Sequence, residues 1–335
     1  MSLFGIWPVI DGAASFEQAQ AILAEAGLGD GLPLVPPTRR RLDAMLAPVS
    51  SPAHVHGQLP PLFGEITAAA VAYNCVLAGC RPVELPIVLT AVIACLEPPF
   101  NALGLLTTTG SAAVATLVHG PIAAELGINA STNCLGPGNR ANATIGRAIS
   151  LVLRNIGGAR ENIGDMATMG QPGKYMFCFA ESPEQPFAPL HLRRGLAAAV
   201  SAVTVLGVSG TAEVLPRGPG ETADQILDPI AHAMCASVAT YASAGRDEGP
   251  EQFVLIPPEV AQRLAALGMD LFAIQASLFA RGLAMKRPPG VATTPIARSA
   301  ADIHPIVTGG PGQKITYLPL WGGGSFTVTK PIVMP

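Results

Sequence analysis

Apolar residues recur along the chain in blocks separated by Gly- and Pro-rich turns, and the period inside each block predicts its conformation. Ser15-Phe16-Glu17-Gln18 has capping-box spacing, so a helix is expected from there to about Ala26, stopped by Gly27. Thr38 caps a second helix whose first turn holds Arg39, Arg40 and Arg41, the unfavourable sign for that end of the dipole. Further helices are expected over 67–79, over 85–96, from Pro121, and over 142–156 before Gly157-Gly158. Leu103 to Thr108 reads as a buried strand closed by Gly110, and Tyr175 to Ala180 as another.

After a polar stretch the pattern changes. Strands are expected over 199–208, 253–256, 303–308, 315–320 and 326–333, and helices over 222–242, 258–267 and 271–283. Alternation of this kind argues for an α/β protein with mixed sheets and packed helices. It is divided here into two α/β subdomains, residues 1–185 and 190–335, with the boundary within 181–198. No internal repeat is visible beyond one recurring turn.

Composition narrows the classes. Of 335 residues, 49% are hydrophobic and 13% charged, so the chain is long enough for a well-buried core and carries little solvating tail. Apolarity of the Ala, Leu, Val and Ile kind also suits a buried subunit interface, and a homo-oligomer is expected. Twenty basic against 23 acidic residues give a net charge of −3, unlike the basic stripe of a nucleic-acid binder. The longest weakly polar stretch, Gly195 to Gly210, falls short of the ~20 residues a bilayer requires. Met1-Ser2-Leu3-Phe4 begins no basic n-region, so a cytoplasmic protein is expected, without membrane or nucleic-acid partners. Six cysteines with no CxxC pair read as thiols.

The recurring turn carries the first candidate chemistry. Gly136-Pro137-Gly138-Asn139-Arg140, Gln171-Pro172-Gly173-Lys174 and Gly310-Pro311-Gly312-Gln313-Lys314 each place a base directly after Pro-Gly. Such a turn points backbone N–H groups outward beside a cation, which suits a carboxylate or phosphate. The turn at Gly136 leads into a helix, with Asn139, Arg140 and Asn142 as added donors. Neither nucleotide fingerprint, G-x-x-x-x-G-K-[ST] or G-x-G-x-x-G, occurs, so ATP and NAD are discounted and no cofactor is expected.

Cys134 stands just before that turn and Cys80 beside Arg81, making them the two candidate nucleophiles; the other cysteines read as core. His119, before Gly120-Pro121, is a candidate general base. His54-x-His56 offers only a weak metal pair. Asp30, Glu65 and Asp165 adjoin glycines, and Asp165 is expected near Gln171 and Lys174. Trp321-Gly322-Gly323-Gly324-Ser325 reads as a ligand-contacting loop with Trp321 as an apolar lid.

The segments Ala78-Gly79-Cys80-Arg81-Pro82, Gly136 to Ala148, and Asp165-Met166-Ala167-Thr168 with Gly170-Gln171-Pro172-Gly173-Lys174-Tyr175 and Phe177-Cys178 resemble a poorly characterised bacterial family associated with UGSC-type (seleno)proteins. The resemblance covers most of the chain and implies a cytoplasmic enzyme or enzyme subunit linked to thiol chemistry. Ala69 and Ala70 stand where the family pattern has a Glu-Lys pair, and Thr108-Thr109-Gly110-Ser111 where it has Thr-Thr-His-Pro. The chain has no UGSC motif, so a thiol- or selenol-active partner would be a separate protein.

These residues lead to the expectation of a lyase or hydrolase acting on a small anionic, carboxylate-bearing metabolite. Arg140, Lys174 and Lys314 would bind the anion with Gly138 and Gly312, and Cys80 or Cys134 would act as nucleophile or acid/base. The reading from another class is a non-catalytic binding subunit serving the thiol-active partner.

Overall fold

In the computed structural model, which describes residues 3–241, 249–285 and 295–333, the chain is an α/β protein with three sheets. Its first part runs α1 (Phe16–Glu25), α2 (Arg39–Leu46), β1 (Val55–Leu59), β2 (Gly64–Thr67), α3 (Ala68–Ala78), α4 (Leu85–Cys95), α5 (Ala102–Thr107), β3 (Ala113–His119), α6 (Pro121–Glu125) and α7 (Arg140–Asn155). It continues through β4 (Cys178–Ala180), α8 (Leu190–Arg193), β5 (Ala202–Val208), β6 (Ala212–Val214) and α9 (Ala223–Tyr241). The last elements are β7 (Gln252–Ile256), α10 (Pro258–Ala266), α11 (Leu271–Ala284), β8 (Ile303–Val307), β9 (Ile315–Leu318) and β10 (Val328–Pro331).

Local chemistry sets many of these ends. Ser15 caps α1 with the expected capping box, Thr67 caps α3, and Gly79 closes α3 at φ 86°. Asn139 caps α7 through Asn142 N–H, so that helix starts at Arg140. Leu103 to Thr107 are helical, contrary to the strand expected over 103–108. Asn101 at φ 51° accepts from Gly104 N–H and caps α5, and the buried strand is β3 further on. The end of the helix expected over 222–242 lies outside the described residues. Among the described residues no single helix is long and apolar enough to cross a membrane.

Two four-stranded mixed sheets form the frame, ordered β10-β5-β3-β4 and β6-β9-β7-β8. They face each other through Ala115, Leu117, Phe179, Leu206 and Val208 on one side and Phe253, Leu255, Ile306, Leu318 and Leu320 on the other. Alternate residues point outward. Val114, Val118, Val203 and Val205 pack under α3, α4 and α7, while Val254, Ile256, Ile303 and Ile315 pack under α9, α10 and α11. The result is four layers, helix–sheet–sheet–helix. Strands covered on both faces read as near-continuous apolar runs, which is how β3, β5 and β7 appear.

The two sheets repeat one plan. β3 runs parallel to β4 and antiparallel to β5, just as β7 runs parallel to β8 and antiparallel to β9. Leu117 pairs with Phe179 and Thr204, and Leu255 with Ile306 and Thr316, so these residues occupy equivalent places. The next strand in each set crosses over: β6 joins the second sheet and β10 returns to the first. The halves meet where Val208 bridges Leu320, flanked by Ser209 N–H to Pro319 O and Trp321 N–H to Gly207 O, both 2.8 Å. The arrangement has pseudo-two-fold symmetry. Since β5 and β10 both lie in the first sheet, the two sheets interleave instead of dividing at residues 185–190.

Asp30 ties the extended segment after α1 to the core helix α7. Arg147 donates Nε–H and Nη2–H to its two carboxylate oxygens, both at 2.8 Å. Burial alone would raise the Asp30 carboxyl, but the Arg147 bonds and charge with the Leu32 N–H hold it below its ordinary value. A carboxyl lowered on folding contributes stability above its unfolded pKa of ~3.9 and loses it as pH falls through the folded value. Asp30→Asn is therefore expected to cost about 1.5–3 kcal/mol at pH 7. In urea titrations across pH, its deficit against wild type should shrink below about pH 4.

Candidate functional site

With both faces of each sheet covered, polar chemistry collects at strand ends. The parallel neighbours β3 and β4 end together, Val118 pairing with Ala180, so His119 and Glu181 emerge side by side. Gly120 then turns the chain away at φ 78°, where a Cβ would meet Val200 O at 2.5 Å. Ten residues past Glu181, the short helix α8 brings His191 to the same place, its ring centroid 5.4 Å from that of His119. One donor atom from each of His119, Glu181 and His191 lies within 4.8 Å of the others.

The three side chains are buried, and two of them, Glu181 and His191, are incompletely partnered. His119 is 2% and His191 5% exposed, and the Glu181 side chain is 6% exposed. Glu181 Oε1 lies 2.9 Å from His119 Nδ1 and accepts the Leu190 N–H at 2.9 Å. Glu181 Oε2 and both ring nitrogens of His191 have no protein partner. Burial alone would raise the Glu181 carboxyl, but His119, the Leu190 N–H and Arg193 hold it below the ordinary carboxylate value. Burial, with the charge of His119, pushes His191 down, against Glu181. At neutral pH the pair is thus a carboxylate and a neutral imidazole.

His119 is held from behind. Its Nε2 lies 2.7 Å from Thr204 Oγ1, which lies 2.7 Å from Thr329 Oγ1, which accepts Arg194 Nη1–H at 2.7 Å. Arg194 also donates to Glu251 Oε1 at 3.3 Å. Glu251 Oε2 accepts the Thr327 N–H at 2.5 Å, and His304 Nε2 approaches Oε1 at 3.2 Å. This buried chain runs from the cluster to β7 and β8.

The cluster forms part of the floor of a cleft of about 880 Å³, lined also by Asn129, Glu184 and Glu259. Among its described lining residues are three glutamates and no lysine or arginine. A second cleft of about 550 Å³ meets the first at Gly309 to Pro311 and holds Cys134, Thr308, Gly312 and Lys314. Its Pro257 and Thr308 occupy the places in the second sheet that His119 and Glu181 occupy in the first.

The three bases do not assemble one anion site. Arg140 donates to Gly79 O at 2.9 Å, Lys174 pairs with Asp165 at 2.5 Å, and Lys314 pairs with Glu213 at 3.0 Å near the surface. The loop donors are similarly engaged. Asn139 Nδ2 donates to Gly127 O, Asn142 Nδ2 to Asn129 O and Cys134 O, and Gln171 Nε2 to Ser111 O and Val208 O. Gly138 adopts φ 122° in its turn, and Gly312 N–H donates to Glu259 Oε2 at 3.0 Å. Asp165 and Lys174 line a small separate pocket of about 60 Å³. Trp321 lies against Gly104, Gly110 and Gly323, so the glycines make room for its ring.

Both candidate thiols are buried and have a partner. Cys80 is buried and donates Sγ–H to Thr144 O at 3.3 Å. Burial pushes the Cys134 thiol up, against opposing bonds from Thr308 and the backbone. His54 and His56 stand edge to face at 4.8 Å, outside the group of three potential ligands found among the described residues. Sequence reasoning located His119 but not Glu181 or His191, which lie in the polar stretch read as a boundary. The signal there was Pro-Leu-His after an acidic turn, too common to single out.

Glu251 joins Arg194 of one half to Thr327 and His304 of the other. Glu251→Ala leaves the half-buried Arg194 without its carboxylate and is expected to lower unfolding stability by about 1.5–3 kcal/mol, measured by urea titration. No protein-family model and no curated protein matches the chain.

Proposed function

We propose that the chain is an enzyme of lyase or hydrolase type whose reaction takes place around His119, Glu181 and His191. The observation that carries this reading is the set of unpartnered buried atoms, Glu181 Oε2 and both nitrogens of His191, on the floor of the 880 Å³ cleft. Each such atom costs about 1–3 kcal/mol when left unpaired. A ligand that completes them offsets that cost, and ionisable groups of this kind concentrate at functional sites.

The substrate in this reading is a small metabolite bearing a carbonyl or carboxylate. A developing oxyanion would meet no lysine or arginine among the described lining residues, so in this reading it takes a hydrogen bond from the unpartnered His191 ring. Thr204 behind His119 and the Leu190 N–H on Glu181 fix both side chains before any substrate arrives. The cysteines take no step in this reaction.

Turnover of short-chain oxo- and hydroxy-carboxylates, their amides and a p-nitrophenyl ester, followed by NMR and absorbance, tests the proposal. His191→Ala and Glu181→Gln should each reduce the observed rate by about a thousandfold. Cys80→Ser and Cys134→Ser should stay within about fivefold of wild type, with circular dichroism as the folding control. The opposite pattern would move the chemistry to the thiols. Binding without turnover of any compound would favour the non-catalytic reading.

A further inference from the structure

We infer that His119, Glu181 and His191 together bind one divalent transition-metal ion at the floor of the cleft. This deepens the proposed function and rests on the cluster being its reaction centre. Four independent features of the site carry it.

The donor set is the first. Two imidazoles and one carboxylate suit Zn²⁺ and its first-row neighbours better than Ca²⁺ or Mg²⁺, which prefer oxygen. Three protein ligands also leave a coordination position for water or substrate, and here the cleft lies beside them.

Spacing is the second. Bonds of ~2.0–2.1 Å in a tetrahedral arrangement put ligand atoms roughly 3.3 Å apart. The three donor atoms already lie within 4.8 Å of one another, so side-chain rotations of about an ångström close the set.

Partnering is the third. A structural buried histidine normally gives at least one nitrogen to a neighbour, yet both nitrogens of His191 are buried and unpaired, as is Glu181 Oε2. Glu181 keeps Oε1 on the Leu190 N–H, which aims the carboxylate and leaves Oε2 for the ion.

The support behind His119 is the fourth. As a ligand through Nδ1, His119 must carry its proton on Nε2, facing Thr204 Oγ1 at 2.7 Å. Thr204 can accept that proton's hydrogen bond because its own hydroxyl has Thr329 Oγ1 to donate to, 2.7 Å away. The Glu181, Glu184 and Glu259 carboxylates around the cleft favour a dication. Arg193, a cationic neighbour of Glu181 with Nη2–H on Pro305 O, offsets part of that charge without occupying the donor atoms.

The test is metal uptake, read without reference to activity. Full-length protein stripped with a chelator is titrated with Zn²⁺ against a chromophoric competitor, and its content measured by elemental analysis. Wild type should take up one ion per chain at submicromolar affinity. His191→Ala and Glu181→Gln should each weaken binding at least a hundredfold, and Thr204→Val, which keeps every ligand, about 10–100-fold. Co²⁺ substitution should give visible absorption bands that His191→Ala abolishes. Circular dichroism verifies the fold of each variant.

Uptake below about a tenth of an equivalent by the stripped wild type overturns the inference. So does unchanged affinity in both ligand variants, or loss of binding in His54→Ala with His56→Ala instead. Turnover that depends on Glu181 and His191 in a protein that binds no metal would sink the metal site and leave the enzyme reading standing. One bound ion that these side chains hold, without turnover, would do the reverse.

Discussion

Leu117, Phe179, Leu206, Phe253, Leu255 and Ile306 press two sheets together, while helices cover both outer faces. That double covering governs the rest of the molecule. In a strand with water on neither side, a polar side chain is costly unless a partner is built in. Thr204 of β5 meets the condition by lying between His119 and Thr329. Ionisable groups are pushed to the ends of β3 and β4, where backbone direction changes and space opens. The cleft and its cluster follow from the layering as much as from the residues that line it.

The repeated plan of the sheets sharpens this point. Equivalent strand ends in the second half carry Pro257 and Thr308, and Thr308 gives its hydroxyl to Ala180 O at 2.8 Å. One framework thus offers two mouths of the same geometry. Only the first is furnished with a carboxylate and imidazoles. The second holds Cys134 and Lys314, each with a neighbour of its own. Symmetry of backbone here coexists with asymmetry of chemistry.

How much of this was legible in the sequence depended on distance along the chain. Caps act over three or four residues, so Ser15, Thr67 and Gly79 announced their helices correctly. Leu103 to Thr108 misled because a leucine pair followed by threonines fits a strand as readily as a helix, and the deciding cap, Asn101, lay upstream. The short strands β1, β2 and β6 carried too little pattern to stand out. Arg140, Lys174 and Lys314 were correctly seen as bases after Pro-Gly, but their partners Gly79, Asp165 and Glu213 are set by the fold. The duplication was invisible because it is kept in pairing and register rather than in residue identity.

The crossing of β6 and β10 has a bearing on how the chain becomes a protein. During synthesis β5 emerges long before residues 328–331, so one side of the first sheet stays unpaired until those residues have been made. Pairing of such sequence separation is slow, and an open strand edge is a template for association with other chains. A product stopped between the halves would expose the β5 edge and lack the β10 threonine behind Thr204. Assembly of the site therefore waits on the last strand, and incomplete chains present a feature that cellular quality control can recognise.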